Sequence, residues 1–373
     1  MHIGIGLSIT YPAAPTGGGG GGDVTAPTLS SVATNVGGTT ITLTYNEALD
    51  DTSEPATTAY TLAGTSSTVA SLNVTGSTVV LTLNTACFVN QTITVSYTAP
   101  GAGNVQDSAG NDAGNLTNSA VTNNSTVFNP DESIAGLVAW IDMQDATSYT
   151  NTGGFVSAIT NKASGVSWTE ATNRPAVSAT GLNSLPCMDF DGTNDRIISS
   201  EAAVCTALAN QNDYTIFIVT QIDDLAAVEV IFSAADVDAA GPGSKRWGTN
   251  TGGAGRWTVI GTNDASAGIV ANAAQDTVNT PVVYEAYSAT QVTSLQINGA
   301  AVNMSTGGAS GTPTAYGTLS PDRVAMGCRP SSTPASFFDG RIAELLIYDT
   351  ALSTPSRALV RAYLGTKWSI TVA

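Results

Sequence analysis

Carboxylates are the side chains of this sequence that could support hydrolysis. Cleavage of a glycosidic bond uses two carboxyl groups roughly 5 to 10 Å apart, one of them with a raised pKa. Three glutamates stand singly in strand-like segments, namely Glu229, Glu285 and Glu344. An outward-facing carboxylate without a catalytic role is the simpler interpretation of each. We therefore expect a protein that is not an enzyme, with no catalytic residues.

Nucleophilic and zinc-dependent chemistry have little support in the sequence. The one histidine, His2, lies at the N-terminal end, which argues against Ser-His-Asp and Cys-His systems. Four cysteines show no C-x-x-C spacing and are interpreted as small core residues: Cys87, Cys187, Cys205 and Cys328. A disulfide between Cys187 and Cys205 remains an open alternative.

Three acidic residues of the N-terminal third offer oxygen ligands without a basic partner: Glu47, Asp107 and Asp112. Hard oxygen ligands suit Ca²⁺, although the spacing matches no EF-hand loop. Asp and Asn also form turns through their own side chains. Calcium binding and turn formation both remain open, and no other cofactor is expected.

Tryptophans are the candidate carbohydrate contacts, because sugar rings stack on exposed aromatic side chains. Trp247 and Arg246 lie in a glycine-containing segment, residues 241–248, that is predicted to be a loop. Trp168 is a third candidate, with ambiguous exposure. The remaining tryptophans are predicted core residues: Trp140, Trp257 and Trp368.

The charge balance excludes whole classes of partner. The 373 residues include 29 Asp and Glu but only 12 Lys and Arg, which gives a formal net charge of −17. The first basic residue is Lys162, and nucleic-acid binding needs grouped Lys and Arg for counterion release. We expect no nucleic acid as partner. Because no apolar stretch reaches about 18 residues, we also expect no membrane insertion.

The N-terminal residues have the pattern of a strand that is separated from any domain. Ile3, Ile5, Leu7 and Ile9 alternate with Gly and Ser, which gives one apolar face. We interpret residues 1–16 as an extended docking arm that adds a strand to another subunit, with a frayed terminus as the alternative. Residues 17–23 form a glycine-rich linker. The segment is a poor signal peptide, so we expect release by lysis in a virus particle.

Residues 24–128 consist of short alternating runs between turn signals, which predicts a β-sandwich of about 100 residues. The most distinctive segments are residues 26–29, 43–50, 76–83, 95–97, 106–111 and 120–123. In these segments the chain resembles the Ig-like repeat named for a cyanobacterial cell-surface swimming protein. The resemblance implies a spacer or adhesive unit.

Residues 129–373 predict one larger all-β domain, because several strand candidates are near-continuous apolar runs of the kind that two facing sheets require. The informative segments are residues 137–142, 188–195, 296–299, 340–349 and 351–353. They resemble a concanavalin-like or laminin-G-like jelly roll. Ser353 or Thr354 is expected to cap a short C-terminal helix that has Pro355 in its first turn and ends at Gly365.

Together these features predict an all-β, non-enzymatic structural protein of a bacteriophage virion. The first choice is a capsid decoration protein or head fibre on the virion surface, assembled in the host cytoplasm. Its expected partners are other virion proteins such as the major capsid protein, further copies of itself, for example in a trimer, and host surface glycans. The alternatives are a tail-fibre or receptor-binding adhesin and a bacterial surface adhesin. These assignments rest partly on fold analogy.

Overall fold

The chain forms two compact units, residues 1–127 and residues 128–373. The computed structural model describes residues 22–209, 213–224, 229–237, 244–250, 256–262, 268–271, 278–289, 292–302, 304–307, 320–331 and 333–373. The predicted docking residues Ile3, Ile5, Leu7 and Ile9 therefore lie outside the described residues, as does most of the linker. Phe128, which the sequence assigned to the first domain, packs against Tyr363 of the second unit, with ring centroids 5.4 Å apart.

The first unit is an Ig-like sandwich of two antiparallel sheets with the orders β1-β2-β5-β4 and β3-β6-β7. Its strands are β1 (Leu29–Thr34), β2 (Thr40–Tyr45), β3 (Tyr60–Ala63), β4 (Val69–Thr75), β5 (Thr78–Leu83), β6 (Thr94–Tyr97) and β7 (Leu116–Ala120). A 3-10 turn, Thr57–Ala59, precedes β3. Strand β2 illustrates how alternation along the sequence becomes a buried face. Its Thr residues are half-buried, while Ile41, Leu43 and Tyr45 point into the core.

The second unit is a jelly roll. Its first strands are β8 (Leu137–Asp142), β9 (Tyr149–Thr152), β10 (Phe155–Thr160), β11 (Ser167–Thr169), β12 (Ala176–Leu182), β13 (Leu185–Asp191), β14 (Ile197–Ser199), β15 (Tyr214–Ile222) and β16 (Glu229–Ala235). Its later strands are β17 (Ser244–Asn250), β18 (Arg256–Thr262), β19 (Gly268–Ala271), β20 (Val282–Ala289), β21 (Val292–Ile297), β22 (Ala300–Ala301), β23 (Met304–Gly307), β24 (Arg323–Met326) and β25 (Asp339–Tyr348). The predicted all-β fold class is confirmed.

Strand β25 organises one sheet of the jelly roll. It pairs with β15 along almost its whole length, while β13 pairs with its first half and β8 with its second half. The other sheet contains the antiparallel series β14-β24-β16-β17-β18-β19. Strands β15 and β16 are buried at every position, as their near-continuous apolar sequences predict.

The described residues of the second unit also form two helices, α1 (Ala202–Ala207) and α2 (Thr354–Trp368). Ser353 caps α2 by accepting a hydrogen bond from the Ser356 N–H, as predicted. The predicted end at Gly365 is wrong, because α2 continues to Trp368 and Ser369 takes the left-handed conformation. Gly365 instead allows the returning chain to pass close, since an added Cβ would lie 2.8 Å from the Ile370 carbonyl oxygen. Within the described ranges, no helix is long and apolar enough to cross a membrane.

Candidate functional site

The three strand glutamates are buried, so the expectation that they face outward is wrong. Glu285 and Glu344 are fully buried and Glu229 is 3% exposed. Helix α2 brings basic groups to two of them: Arg361 reaches Glu285 and Lys367 reaches Glu344, each at 2.8 Å. Both glutamates have a raised pKa, chiefly because of burial. Glu285 and Glu344 therefore anchor α2 to the sheet, and their basic partners come from a helix that follows both strands in the chain.

Glu229 lies among carboxylates at the end of the sheet where β13 and β15 finish and β25 begins. Its Oε2 accepts the Asp339 N–H at 3.2 Å. Burial raises the pKa of Glu229 to about 8, with smaller contributions from Asp339 and Asp224. Asp195 lies near the same strand ends. Its burial, and then the charge of Asp191, raise its pKa to about 6. Carboxyl groups with such pKa values can act as general acids, but buried structural networks produce the same shifts.

A groove lies beside α1 in the described part of the second unit. It has a volume of about 670 Å³ and is lined by Val138, Ala202, Ala203, Thr206, Ala207, Asp213 and Asp349. Small apolar side chains form most of its wall, and the two aspartates add carboxylates that can accept hydrogen bonds. The groove could hold a small polar ligand with several hydroxyl groups. The sequence predicted none of these residues, because they come from four separate segments.

The prediction that Trp168 contacts a carbohydrate is wrong, because its side chain is fully buried. Its Nε1 donates a hydrogen bond of 2.7 Å to Glu201, whose carboxylate also accepts from Asn161 Nδ2. Trp168 is therefore part of a buried polar network. A ring without exposed surface cannot stack on a sugar.

Trp247 and Arg246 lie in strand β17, which corrects the predicted loop placement. In the backbone register, Trp247 stands between Phe232 of β16 and Val259 of β18, and Arg246 stands between Ser233 and Ile260. Their side chains lie outside the described part of the structure. A role for them in carbohydrate binding stays a prediction.

Two of the three predicted metal-binding residues meet in the first unit. Oxygen atoms of Glu47, Asp107 and Asp23 all lie within 4.8 Å of one another. Two ligand oxygens on opposite sides of Ca²⁺ are about 5 Å apart, so the group fits a cation of that size. Glu47 Oε1 is shielded from solvent and has no hydrogen-bond partner among the described residues. These carboxylates are the candidate cation ligands.

Asp112 is not part of this group and accepts a hydrogen bond from Asn104 Nδ2 at 2.9 Å instead. Asp107 also forms the turn that the alternative interpretation predicts, because its Oδ1 accepts the N–H groups of Ala109 and Asn111. The Asn111 side chain lowers the pKa of Asp107 by donating to it. Sequence reasoning missed Asp23, which it assigned to the linker.

The cysteines are buried and free, so the alternative of a disulfide between Cys187 and Cys205 is wrong. Burial raises the pKa of Cys187 to about 12 and that of Cys205 to about 11. Both thiols stay protonated near neutral pH, as expected for core residues.

Comparisons with known proteins concern parts of the chain. Residues 22–102 match the family model described as "Putative flagellar system-associated repeat", which confirms over these residues the resemblance to the swimming-motility repeat. No curated protein matches the sequence. Among solved structures, the chain is similar to Trypanosoma rangeli sialidase in complex with sialic acid, at 15% identity and a TM-score of 0.43. That alignment covers 63% of this chain and 33% of the sialidase, so the chain spans about a third of its length.

A second similar structure is the CBM40 domain of Ruminococcus gnavus IT-sialidase bound to α2,3-sialyllactose. The identity is 16% and the TM-score is 0.38, over 47% of this chain and 95% of that domain. With identities of 15% and 16% and TM-scores below 0.5, neither similarity assigns a function to this chain.

Proposed function

We propose that this protein is a non-enzymatic structural protein of a bacteriophage virion, a capsid decoration protein or head fibre. In this proposal the N-terminal arm docks on the shell and the two β-units project from the particle, in a homo-oligomer such as a trimer. The observation that supports a non-enzymatic role is the use of buried carboxylates as structural anchors. Glu285 and Glu201 are each held by side chains of the same unit.

The proposed attachment rests on the sequence of residues 1–23. Alternating Ile and Leu side chains form an apolar face on a segment that carries no acidic side chain before Asp23, and the glycine-rich linker lets that segment reach a neighbouring subunit. The apolar alternation of this arm is the feature that supports a virion location. A bacterial surface adhesin is the second candidate, favoured by the match of residues 22–102 to a flagellar system-associated repeat.

Labelling the protein on purified particles and on bacterial cells tests the location. Antibody against the second unit should decorate particle heads in electron micrographs. Label at the tail tip would replace the proposal with a receptor-binding adhesin, and label confined to the cell surface would replace it with a bacterial adhesin. A chain that lacks residues 1–16 should fold but no longer attach to particles, and full attachment of that chain would exclude the docking role.

We also propose that the groove beside α1 binds a neutral glycan. Asp213 and Asp349 can accept hydrogen bonds from sugar hydroxyl groups, whereas the same carboxylates and the net charge of −17 oppose an acidic sugar. Many copies on one particle would strengthen weak binding through avidity. Retention should therefore be stronger on neutral than on sialylated polysaccharide.

A matched pair of substitutions tests the groove. Ala203→Arg places a long side chain in the groove and should abolish retention on the polysaccharide, while Ala179→Arg adds the same charge at an exposed alanine outside the groove lining and should not. Equal retention by both variants would exclude the groove. The same incubation reports enzyme activity, since steady release of new reducing ends would exclude the non-enzymatic proposal.

A further inference from the structure

A lysine and two carboxylates meet where α2 covers the end of β8. Lys367 Nζ lies 2.8 Å from Asp142 Oδ1 and 2.8 Å from Glu344 Oε2. The exposed fractions of the side chains are 14% for Lys367, 6% for Asp142 and none for Glu344. Two buried carboxylates and a half-buried ammonium in direct contact are costly to keep charged, because the interior solvates charge poorly.

Aromatic side chains enclose this group. The indole Nε1 atoms of Trp140 and Trp368 donate to Glu344 Oε1 and Oε2, at 2.9 and 2.5 Å. The Tyr363 hydroxyl donates to Glu344 Oε1 at 3.0 Å. Glu344 is therefore fixed in one orientation beside Lys367 Nζ.

We propose that Lys367 Nζ and Asp142 Cγ form an intramolecular isopeptide bond, with Glu344 as the proton carrier. An amine and a carboxyl group that are held in contact react as neighbours within one molecule, which removes most of the entropic barrier to their encounter. The amide that results is neutral, which suits an enclosed site that solvates charge poorly.

The reaction needs no reagent from outside. The Lys367 ammonium passes a proton to Glu344, whose pKa is raised by burial, and the free Nζ lone pair attacks Asp142 Cγ. A C–N bond forms, the Cγ–Oδ1 bond breaks, and Oδ1 leaves as water with two protons that were on Nζ. The products are one amide and one water molecule, and Glu344 returns to its starting state.

Lys162 stabilises the intermediate of this reaction. Its Nζ lies 3.2 Å from Asp142 Oδ2, the oxygen on which negative charge develops when Cγ becomes tetrahedral. Asp142 reacts in preference to Glu344 because both oxygens of Glu344 are held by indole and phenol donors. The bond would join the first strand of the second unit to its last helix.

Intact-mass measurement of the full chain tests the proposal. The purified protein should be lighter than its sequence mass by one water molecule, and peptide mapping should find the segment around Asp142 joined to the segment around Lys367. A chain at the full sequence mass would overturn the proposal, and the ion-pair network alone would then explain the contacts. This result does not depend on the proposed virion function.

Matched variants identify the reacting groups. Lys367→Arg keeps the positive charge but offers no attacking amine, so the water loss should disappear, as it should in Glu344→Gln. Glu170→Gln is the matched control for Glu344→Gln and should retain the water loss, because Glu170 pairs with Arg196 instead. Water can also be lost as a succinimide at Asp191-Gly192 or Asp339-Gly340. Hydroxylamine adds to a succinimide and gives a hydroxamate, but it leaves an isopeptide bond intact. A dehydrated chain whose mass shifts on hydroxylamine treatment would also overturn the proposal.

Discussion

Arg361 Nη1 lies 2.8 Å from Glu285 Oε2, and this ion pair fastens α2 to the buried strand β20. Arg357 Nε lies 2.8 Å from the other oxygen of the same carboxylate, and its guanidinium lies over the ring of Tyr287, 3.7 Å from the centroid. One buried carboxylate is thus neutralised by two arginines from successive turns of one helix. Loss of the carboxylate, or of both guanidinium groups, would leave buried charge without compensation.

Removal of the shared carboxylate should destabilise the second unit strongly. Glu285→Gln leaves Arg357 and Arg361 without an anion, and we expect a loss of about 3–5 kcal/mol in the free energy of unfolding, measured by denaturant titration. Arg323→Gln breaks the half-exposed pair with Asp322, whose groups are 3.7 Å apart, and should cost about 0–1 kcal/mol. Equal effects of the two substitutions would contradict the anchoring role of Glu285.

Glu229 should make the second unit less stable as the pH rises. Its folded-state pKa of about 8 exceeds the ordinary value of 4.5, so the folded state keeps a proton that the unfolded state has lost between these pH values. Stability should fall by up to about 1.4 kcal/mol per pH unit through this window.

Glu229→Gln keeps an oxygen acceptor for the Asp339 N–H but cannot ionise. The variant should therefore be more stable than the native chain near pH 8. Its free energy of unfolding should also lose this part of the dependence on pH. Asp195 has a pKa of about 6, so the difference in the free energy of unfolding between the two proteins is compared above pH 6, where it reports Glu229. Parallel stability curves from pH 5 to about 8 would contradict the assignment.

The oxygen cluster of Asp23, Glu47 and Asp107 should bind Ca²⁺. At a concentration one hundred times the dissociation constant, the ion should stabilise the first unit by about 2.7 kcal/mol, seen as a higher melting temperature. Glu47→Gln should abolish this response. Asp112→Asn is the matched control and should keep it, because Asp112 lies outside the cluster. A melting temperature that Ca²⁺ does not change would leave turn formation as the role of Asp107.

Trp168 should matter for stability and not for glycan retention. Trp168→Phe removes the indole donor to the buried Glu201 carboxylate, and we expect a cost of about 1–3 kcal/mol in the free energy of unfolding. Retention on polysaccharide should be unchanged wherever the variant is folded. Lost retention at unchanged stability would restore Trp168 as a ligand contact.

Local sequence patterns were sufficient for the fold class and for part of the candidate cation site. Alternation in β2 predicts one buried face because successive side chains of a strand point to opposite sides. The Ser353 cap and Pro355 predict the start of α2 because both act on the first turn alone. Glu47 and Asp107 were found because acidic residues without basic neighbours stand out in this sequence.

The tertiary structure alone decided which polar groups are buried together. Alternation places Glu285 and Glu344 on the face opposite the core of the sandwich, and the sequence does not reveal that α2 covers this face with Arg361 and Lys367. Asp23 joins Glu47 and Asp107 through the fold, although it lies in the predicted linker. A residue's periodicity reports only its side of a strand. Its solvation and charge depend on the element that packs over it, and that element can come from any distance along the chain.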